Sequence, residues 1–292
     1  LPDDLRSDAA AFIDALPASI EMPAGAGKTH LLAAAAKHVT DVGGKVLVIT
    51  HTNAGVHAVR ARLKRFGASS GVHVTTITSM AFRLARAYPV LGELIVPRLM
   101  VPDDSQAYVR AAARVLSNSH LHAVIAASYS HVLVDEYQDC NKVQHAIVCS
   151  IAQTIPACIL GDPMQAIFGF RDPLVHWEQE ALSAFPPIGA LQTPWRWRLA
   201  GMDALGAWLL QARASLQSGH PVDLRGAPEG VQWVQLTQGM EVQQRLMAAR
   251  KEAPNRDGSV LVIGDSMNAT GRHQLTMQTP GATSVEAVDL RD

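Results

Sequence analysis

The chain has 292 residues, of which 48% are hydrophobic and 17% are charged, and its formal net charge is −1. This length and hydrophobic content suffice for one large core and part of a second. The near-neutral balance excludes the global basic field of a protein that coats DNA, so any contact with nucleic acid has to come from local patches.

Cysteine usage and apolar runs indicate the cellular compartment. Cys140, Cys149 and Cys158 lack the close pairing that zinc sites use, and we interpret them as buried thiols of a reducing cytoplasm. The longest apolar runs, such as Val132 to Val134, have the length of strands, and no leader of the secretory kind opens the chain. The sequence predicts a cytoplasmic protein without membrane contact. Because the first residue is Leu1 rather than Met, we interpret it as part of a longer product.

Short apolar segments alternate with helix-sized segments along the first half of the chain. This alternation predicts an α/β fold in which a parallel sheet has helices on both faces. The predicted strands are Ser19 to Met22, Lys45 to Thr50, Val72 to Ile77, His131 to Glu136 and Ala157 to Asp162. The predicted helices between them are Thr29 to Val39, Asn53 to Phe66 with an Asn cap, and Asn141 to Thr154.

The remaining segments predict an insertion, a linker and a second domain. A helical insertion occupies residues 89–130, with Ser105 to Leu116 as its main helix, and a further helix covers Leu199 to Gln217. We predict a first domain over residues 1–217, a linker over 218–230 and part of a second α/β domain over 231–292. The elements of that second part are the strand Val231 to Leu236, the helix Met240 to Arg250 and the strand Ser259 to Gly264.

A phosphate-binding loop follows the first predicted strand. The sequence PAGAGKT between that strand and a helix has the context of a P-loop, in which backbone amides and a helix N-terminus face phosphates. Lys28 would contact the β and γ phosphates of ATP, and the Thr29 hydroxyl would bind Mg²⁺. Met22 stands where the general pattern has its first glycine. The nucleotide-binding residues predicted here are Pro23, Ala24, Gly25, Ala26, Gly27, Lys28 and Thr29.

An acidic pair follows the fourth predicted strand. Parallel sheets bind ligands at the carboxyl ends of their strands, where the sequence VLVDEYQD places Asp135 and Glu136. We expect Asp135 to hold Mg²⁺ and Glu136 to orient or deprotonate the attacking water. An acidic pair alone is a weak signal, and its order after a P-loop makes it a strong one.

The combination of GAGKT, VDEYQD and GDPMQAIFGFRD resembles the UvrD/Rep/PcrA family of superfamily 1 DNA helicases, from about Ile20 to about Arg198. This resemblance implies a RecA-like P-loop NTPase fold, with ATP and Mg²⁺ as cofactors and single-stranded DNA or a junction with duplex DNA as the partner. It also implies 3′-to-5′ movement. In the segment Gly161 to Arg171, Gln165 would sense the γ-phosphate, Phe170 would stack on a base, and Arg171 would bridge the nucleotide and the DNA.

Other motifs of the family are matched less completely. In TPWRW, Arg196 corresponds to an arginine that reaches the γ-phosphate, and Trp195 to an aromatic residue that stacks on adenine, although packing is an equal alternative for the tryptophans. The DNA-binding residues implied by the resemblance are His51, which replaces the usual Phe, Thr52, Asn53, Thr76, Ser79 and Phe170. The basic run Arg60, Arg62, Lys64 and Arg65 is interpreted as a solvated helix face.

Two family features are missing from the sequence. The stretch Leu5 to Phe12 lacks the Gln that reads adenine, and nothing after Ser259 matches the last two motifs. We therefore expect this chain to bind nucleotide better than it hydrolyses it, and to unwind DNA only at background level. Two alternatives to a motor on DNA stay open: a non-motor, ATP-dependent DNA-binding or regulatory module, and the motor part of a helicase–nuclease.

Overall fold

The computed structural model describes residues 3–68, 70–94, 105–167, 169, 172–251, 258–264 and 268–284. The chain divides into two compact units, Leu1–Val222 and Asp223–Asp292. The candidate site lies in the first unit.

The first unit contains a six-stranded sheet in which every paired strand is parallel, in the order β3-β2-β4-β5-β1-β6. The strands are β1 Ala18–Glu21, β2 Val46–Thr50, β3 Val72–Thr76, β4 His131–Val134, β5 Ala157–Gly161 and β6 Pro187–Ala190. The central strands β2, β4 and β5 consist mainly of buried apolar residues, as expected for a sheet that is covered on both faces.

Helices cover both faces of this sheet. Successive strand residues, for example Val48 and Ile49, pack into two different apolar clusters, because successive side chains point to opposite faces of the sheet. The helices of the first unit are α1 Asp3–Asp14, α2 Lys28–Asp41, α3 Asn53–Arg65, α4 Ile77–Ala87, α5 Ser105–Leu116, α6 Ser119–Ser128, α7 Lys142–Ala152, α8 Leu182–Ala184, α9 Trp195–Leu199 and α10 Asp203–Gln217. A π-helical turn, Trp177–Ala181, leads into α8.

The predicted fold class is confirmed by this sheet, and the five predicted strands form with end shifts of one or two residues. The sixth strand, β6, was not predicted, since Pro187 opens it. A proline is tolerated there because β6 is an edge strand, where a missing N–H costs no hydrogen bond between strands.

Helix boundaries differ from the predictions where local signals are ambiguous. Thr52, and not Asn53, caps α3, because its Oγ1 accepts a hydrogen bond from the Gly55 amide at 3.0 Å. The predicted helix from Leu199 to Gln217 is confirmed as α10, which begins later, at Asp203, because a turn at Gly201, whose φ is 69°, separates it from α9. The helices α1, α4, α6, α8 and α9 were not predicted.

The second unit contains α11 Glu241–Ala249 and α12 Ala269–Met277. The predicted helix is confirmed, whereas the predicted strands at 231–236 and 259–264 are wrong, since neither segment pairs with another strand among the described residues. Their apolar side chains are exposed, for example Leu261 at 82% and Ile263 at 87%, so the apolar pattern there buries no sheet face.

Two other sequence predictions concern thiols and membranes. All three cysteines are free, and Cys140 and Cys158 are buried, but Cys149 is only partly buried, so the prediction of three buried thiols is wrong for that residue. In the part of the chain that the structure describes, we find no helix with the length and apolar character needed to cross a bilayer.

Candidate nucleotide site

A glycine-rich turn joins β1 to α2. Gly25 and Gly27 have φ angles of 77° and 92°, in the left-handed region that glycine adopts without strain. Gly27 is the N-cap of α2, which begins at Lys28. The first amides of a helix have no partner within the helix, so this turn presents N–H groups and the positive end of a helix dipole. This is the geometry that the P-loop pattern predicts.

The acidic pair lies directly beyond β4. Glu136 has a φ of 53°, in the left-handed region, and directly precedes a 3-10 helical turn, Tyr137–Asp139. Its Oε2 lies 2.6 Å from Lys28 Nζ, with the two side chains 38% and 10% exposed. The P-loop and the acidic strand end, separated by 108 residues in sequence, thus meet through an ion pair.

Burial sets the electrostatics of the neighbouring carboxyl groups. Asp135 is 4% exposed. Burial, and then the adjacent charge of Glu136, raise the pKa of Asp135 to about 6, and the charge of Lys28 opposes this shift. The pKa of Asp139 is also raised to about 6, by burial and by the charge of Glu136. A cation bound near these two carboxyl groups would favour their charged form and lower their pKa values.

The loop after β5 adds a hydrogen-bonded network. Gln138 Nε2 donates to Glu136 Oε2 at 3.0 Å, and Gln138 Oε1 accepts from the Asp162 amide at 2.9 Å. Gln165 Nε2 donates to Asp162 Oδ2 at 2.6 Å. The predicted γ-phosphate sensor is therefore linked to the acidic pair through two intermediate residues.

The segment TPWRW packs directly on the P-loop. The Arg196 amide donates to the Gly25 carbonyl at 3.0 Å. A Cβ on Gly25 would overlap the ring of Trp197, and a Cβ on Gly27 would lie 3.4 Å from Trp195 Cδ1. Trp195 is 41% exposed, so part of its ring is available to a ligand.

These residues surround a cleft with a volume of about 330 Å³. Most of the predicted nucleotide-binding and catalytic residues line it, whereas the side chains of Ala26 and Asp135 are buried beside it. Arg171 lies outside the described residues. The lining consists of Pro23, Ala24, Gly25, Gly27, Lys28, Thr29, His30, Arg62, Glu136, Gln165, Trp195, Arg196 and Leu199.

Sequence reasoning missed two cationic or aromatic residues of this cleft. Arg62, interpreted as part of a solvated face, lines the cleft, and burial, with the charge of Arg65, lowers its pKa. His30, beside it, packs its ring against Phe66 with centroids 5.8 Å apart. Helical spacing could have separated the arginines of α3, because residues two positions apart lie on different faces of a helix. Arg62 lines the cleft, whereas Arg60 donates a hydrogen bond to the Val74 carbonyl at 2.9 Å.

The predicted DNA-binding residues lie at the carboxyl ends of β2 and β3. Thr52 and Asn53 are exposed there. His51 is partly buried, with Nε2 3.3 Å from Cys140 Sγ. Thr76 Oγ1 accepts from the Ser79 amide at 3.0 Å and caps α4, so its hydroxyl is already engaged.

Phe170 lies outside the described residues. The DNA contacts of His51, Thr52, Asn53, Thr76, Ser79 and Phe170 stay predictions.

The cleft fits ATP with Mg²⁺. A phosphate chain needs free amides and a cation, which the Gly25 to Lys28 turn and Lys28 Nζ provide. Mg²⁺ is usually held by one or two protein oxygens, with phosphate and water completing the octahedron. The Thr29 hydroxyl and the Asp135 carboxylate are the groups that would supply those oxygens.

Comparison with known families supports the resemblance. Residues 99–186 match the family description of the UvrD/REP helicase N-terminal domain. The match includes the acidic pair and the loop after β5, and the P-loop lies outside it. The resemblance to UvrD-type helicases predicted from the sequence is thereby confirmed for this segment, which is shorter than the predicted extent.

Curated relatives are similar over short stretches. DNA helicase II of Salmonella typhimurium is 34% identical over 85 residues, which are 29% of this chain and 12% of that protein. An ATP-dependent helicase/nuclease subunit of Leuconostoc mesenteroides is 35% identical over 60 residues, which are 20% of this chain and 5% of that protein. The chain thus covers only a small part of these relatives' length.

Solved structures give looser matches. The crystal structure of Pif1 helicase from Candida albicans aligns with a TM-score of 0.42 and 16% identity, over 86% of this chain and 54% of that chain. The complex of Arterivirus nonstructural protein 10 (helicase) with DNA aligns with a TM-score of 0.35 and 18% identity, over 64% of this chain and 37% of that chain.

Proposed function

We propose that this chain is the ATP-binding part of a DNA helicase or translocase that hydrolyses ATP with Mg²⁺ and moves on single-stranded DNA. The observation that carries the proposal is the pairing of Lys28 with Glu136 at 2.6 Å in one cleft that Gln165 and Arg196 also line. A P-loop lysine beside a carboxylate at a strand end is an arrangement for phosphoryl transfer to water.

The ion pair suggests how binding prepares hydrolysis. Phosphates arriving at the α2 N-terminus compete with Glu136 for Lys28 Nζ, since both are anions. Once Lys28 contacts phosphate, the Glu136 carboxylate is free to accept a proton from water held near it. Mg²⁺, when bound by Thr29 and Asp135, would neutralise charge on the phosphate oxygens.

Two residues of α9 close the cleft from the other side. Arg196 is exposed and lines the cleft, so its guanidinium is available to the γ-phosphate. The partly exposed ring of Trp195, beside Gly27, is available for stacking on adenine. Stacking offers an alternative to the missing glutamine for holding the base, with lower selectivity between bases.

The nucleotide and DNA sites would be coupled along the side of the sheet where the carboxyl ends of its strands lie. Thr52 and Asn53 follow β2, which is the neighbour of β4, and Asp135 and Glu136 follow β4. Ser79 follows β3, one strand further from β4. We propose single-stranded DNA along this side of the sheet and 3′-to-5′ movement, the polarity that the family resemblance implies. The protein's location in the cytoplasm is part of the same proposal.

The first test measures nucleotide binding and ATP hydrolysis, with and without single-stranded DNA. Lys28→Ala is expected to weaken binding of a fluorescent ATP analogue at least about tenfold, because the phosphates lose their cation. Glu136→Gln is expected to retain ATP and to lower the hydrolysis rate by about 10²–10⁴-fold, the usual contribution of a general base.

Lys37→Ala is the matched control, since Lys37 lies on the same helix, outside the cleft lining, and pairs with Asp41 at 2.7 Å. This variant is expected to behave as the wild type. ATP binding without any DNA effect on hydrolysis, together with a silent Glu136→Gln, would refute the motor and favour the regulatory module.

A further inference from the structure

Arg213 of α10 forms a buried clamp on the loop after β5. Its Nη2 lies 2.7 Å from Asp162 Oδ1, and its Nη1 donates to Asp162 Oδ2 at 3.0 Å, so both carboxylate oxygens are engaged. The two side chains are 13% and 1% exposed. Nη2 also lies 2.6 Å from Glu21 Oε1, at the end of β1. A bidentate arginine contact fixes the plane of a carboxylate as well as its charge.

Asp162, held by Arg213, in turn orients the side chain of Gln165. Its Oδ2 accepts from Gln165 Nε2 at 2.6 Å, and its Oδ1 accepts from the Met164 amide at 3.1 Å. An ionised carboxylate only accepts hydrogen bonds, so the Gln165 amide has to present its NH₂ group to Asp162. The amide oxygen of Gln165 is then the part left for another partner in the cleft.

A second branch connects Asp162 with the acidic pair. Its backbone N–H donates to Gln138 Oε1 at 2.9 Å, and Gln138 Nε2 donates to Glu136 Oε2 at 3.0 Å. The same logic fixes the Gln138 amide, because its oxygen faces an N–H donor and its NH₂ faces a carboxylate. This second branch uses the backbone N–H of Asp162 and not the carboxylate that Arg213 contacts, so only the Gln165 branch depends on Arg213.

We propose that Arg213 is a positioning residue of the ATPase site: by clamping Asp162, it holds the Gln165 amide with its oxygen free to accept a hydrogen bond from the attacking water. The proposal rests on the proposed function, ATP hydrolysis in this cleft, and adds a contact between Gln165 and the attacking water to the γ-phosphate contact that the resemblance implies. Arg213 is not a catalytic residue, since it lies behind Asp162.

The two partners of Arg213 differ in what its removal would do. Glu21 is 33% exposed and can be solvated by water when its partner is lost. Asp162 is 1% exposed and cannot, so without Arg213 its charge would be buried and unpaired. The constraint on Gln165 therefore depends on the Asp162 contact, and Glu21→Gln leaves that contact in place.

The experiment is a mutant cycle on the protein's ATP hydrolysis, with Gln165→Ala as the second change. Arg213→Met is expected to lower kcat about tenfold and to leave the dissociation constant of a fluorescent ATP analogue within twofold. Arg213→Lys is expected to recover part of kcat, since an ammonium keeps the charge without the fork. In the Gln165→Ala background, Arg213→Met is expected to change kcat less than twofold.

Two further variants separate positioning from folding. Arg213→Met with Asp162→Asn removes the unpaired buried charge, and it is expected to fold and still lose about tenfold in kcat, because an Asn amide can accept or donate. Gln211→Met, an exposed position on the same helix, is the control and is expected to match the wild type.

The side-chain ¹⁵N amide resonance of Gln165 reports the clamp without any nucleotide. In the wild type and in Gln211→Met, it is expected to be shifted and slow to exchange with water. In the Arg213→Met, Asp162→Asn double variant, it is expected to move to the position of a solvated glutamine.

The outcomes distinguish the two proposals. A wild type that hydrolyses no ATP refutes the proposed function. The Gln165 resonance then still shows whether Arg213 and Asp162 orient the Gln165 amide. If the wild type is active, two results refute the positioning role. One is an equal loss of kcat on Arg213→Met in the presence and in the absence of Gln165, and the other is a parallel loss of nucleotide affinity. An unchanged Gln165 resonance in the double variant refutes it as well.

Discussion

Three carboxyl groups in the sequence DEYQD have different surroundings, and these surroundings support the separate roles proposed for Asp135 and Glu136. Asp135 is buried and its pKa is raised to about 6, so a cation would stabilise its ionised form. Glu136 is paired with Lys28 and remains 38% exposed, so it can reach water. Asp139 is half-buried, and its Oδ1 has no hydrogen-bond partner among the described residues. Residue type alone does not separate a metal ligand from a base, whereas burial and pairing do.

His51 illustrates a residue whose environment implies a pH dependence of stability. Burial lowers the pKa of His51 to about 4, and the charge of Glu136 opposes this only in part. An unfolded histidine binds its proton near pH 6.5, so between pH 6.5 and 4 the unfolded chain takes up a proton that the folded chain rejects. The stabilising contribution of neutral His51 is therefore present above pH 6.5 and is lost as the pH falls toward 4.

Urea unfolding at a series of pH values tests this. From pH 6.5 to 4, the wild type is expected to lose up to about 3 kcal/mol more unfolding free energy than His51→Gln. Asp135 shifts stability in the opposite direction but is common to both proteins, so it cancels in the difference. His57→Gln, exposed on α3, controls for the loss of a histidine. Equal slopes for wild type and His51→Gln would contradict the prediction.

Single residues were predictable where the local pattern is sufficient. The P-loop residues and the acidic pair were predicted because a strand, a turn and a helix are all visible within ten or so positions. Arg62 and Arg213 were not, because their partners lie far away in sequence: Arg213 contacts Asp162, 51 residues before it, and Glu21, 192 residues before it. Such contacts depend on how helices pack on the sheet, which no local pattern encodes.

At the level of elements, the parallel sheet explains why separate motifs meet. The P-loop, the acidic pair and the loop after β5 follow β1, β4 and β5, which are neighbours in the sheet. The alternation of strands with helices predicted a parallel sheet, but it did not predict the order of the strands. The direct packing of α9 on the P-loop was not predicted, because the resemblance implied only that Trp195 and Arg196 reach the nucleotide.

The contact between α9 and the P-loop yields a prediction about Gly25. Gly25→Ala is expected to weaken binding of a fluorescent ATP analogue at least about tenfold, since the added Cβ overlaps Trp197 and the φ of 77° disfavours alanine. Gly43→Ala is the control: its φ is 85°, but nothing lies within 4 Å of its Cβ position. The control is expected to lose about 1 kcal/mol of stability and to keep its nucleotide affinity. Equal binding losses in both variants would show that backbone strain alone matters.

At the level of the whole molecule, charge and apolar pattern have different predictive value. With a net charge of −1, the DNA contact proposed for this chain has to depend on local patches rather than on a global basic field. The apolar runs at 231–236 and 259–264 predict strands, yet they have no partner strand among the described residues. A strand forms only with a neighbour to accept its hydrogen bonds, and the identity of that neighbour cannot be read from the run itself.

The division of the chain into two units gives the last prediction. Every residue that lines the cleft, from Pro23 to Leu199, belongs to the unit Leu1–Val222. Deletion of residues 223–292 is therefore expected to leave the affinity for Mg²⁺ and a fluorescent ATP analogue within twofold of the whole chain, measured by titration. Deletion from residue 203 onward also removes α10, whose Gly206 packs against Pro194 and whose Arg213 holds Asp162. That shorter chain is expected to lose at least about tenfold in affinity, because the TPWRW segment loses its support. A tenfold loss already on deletion of residues 223–292 would show that the second unit contributes to the nucleotide site.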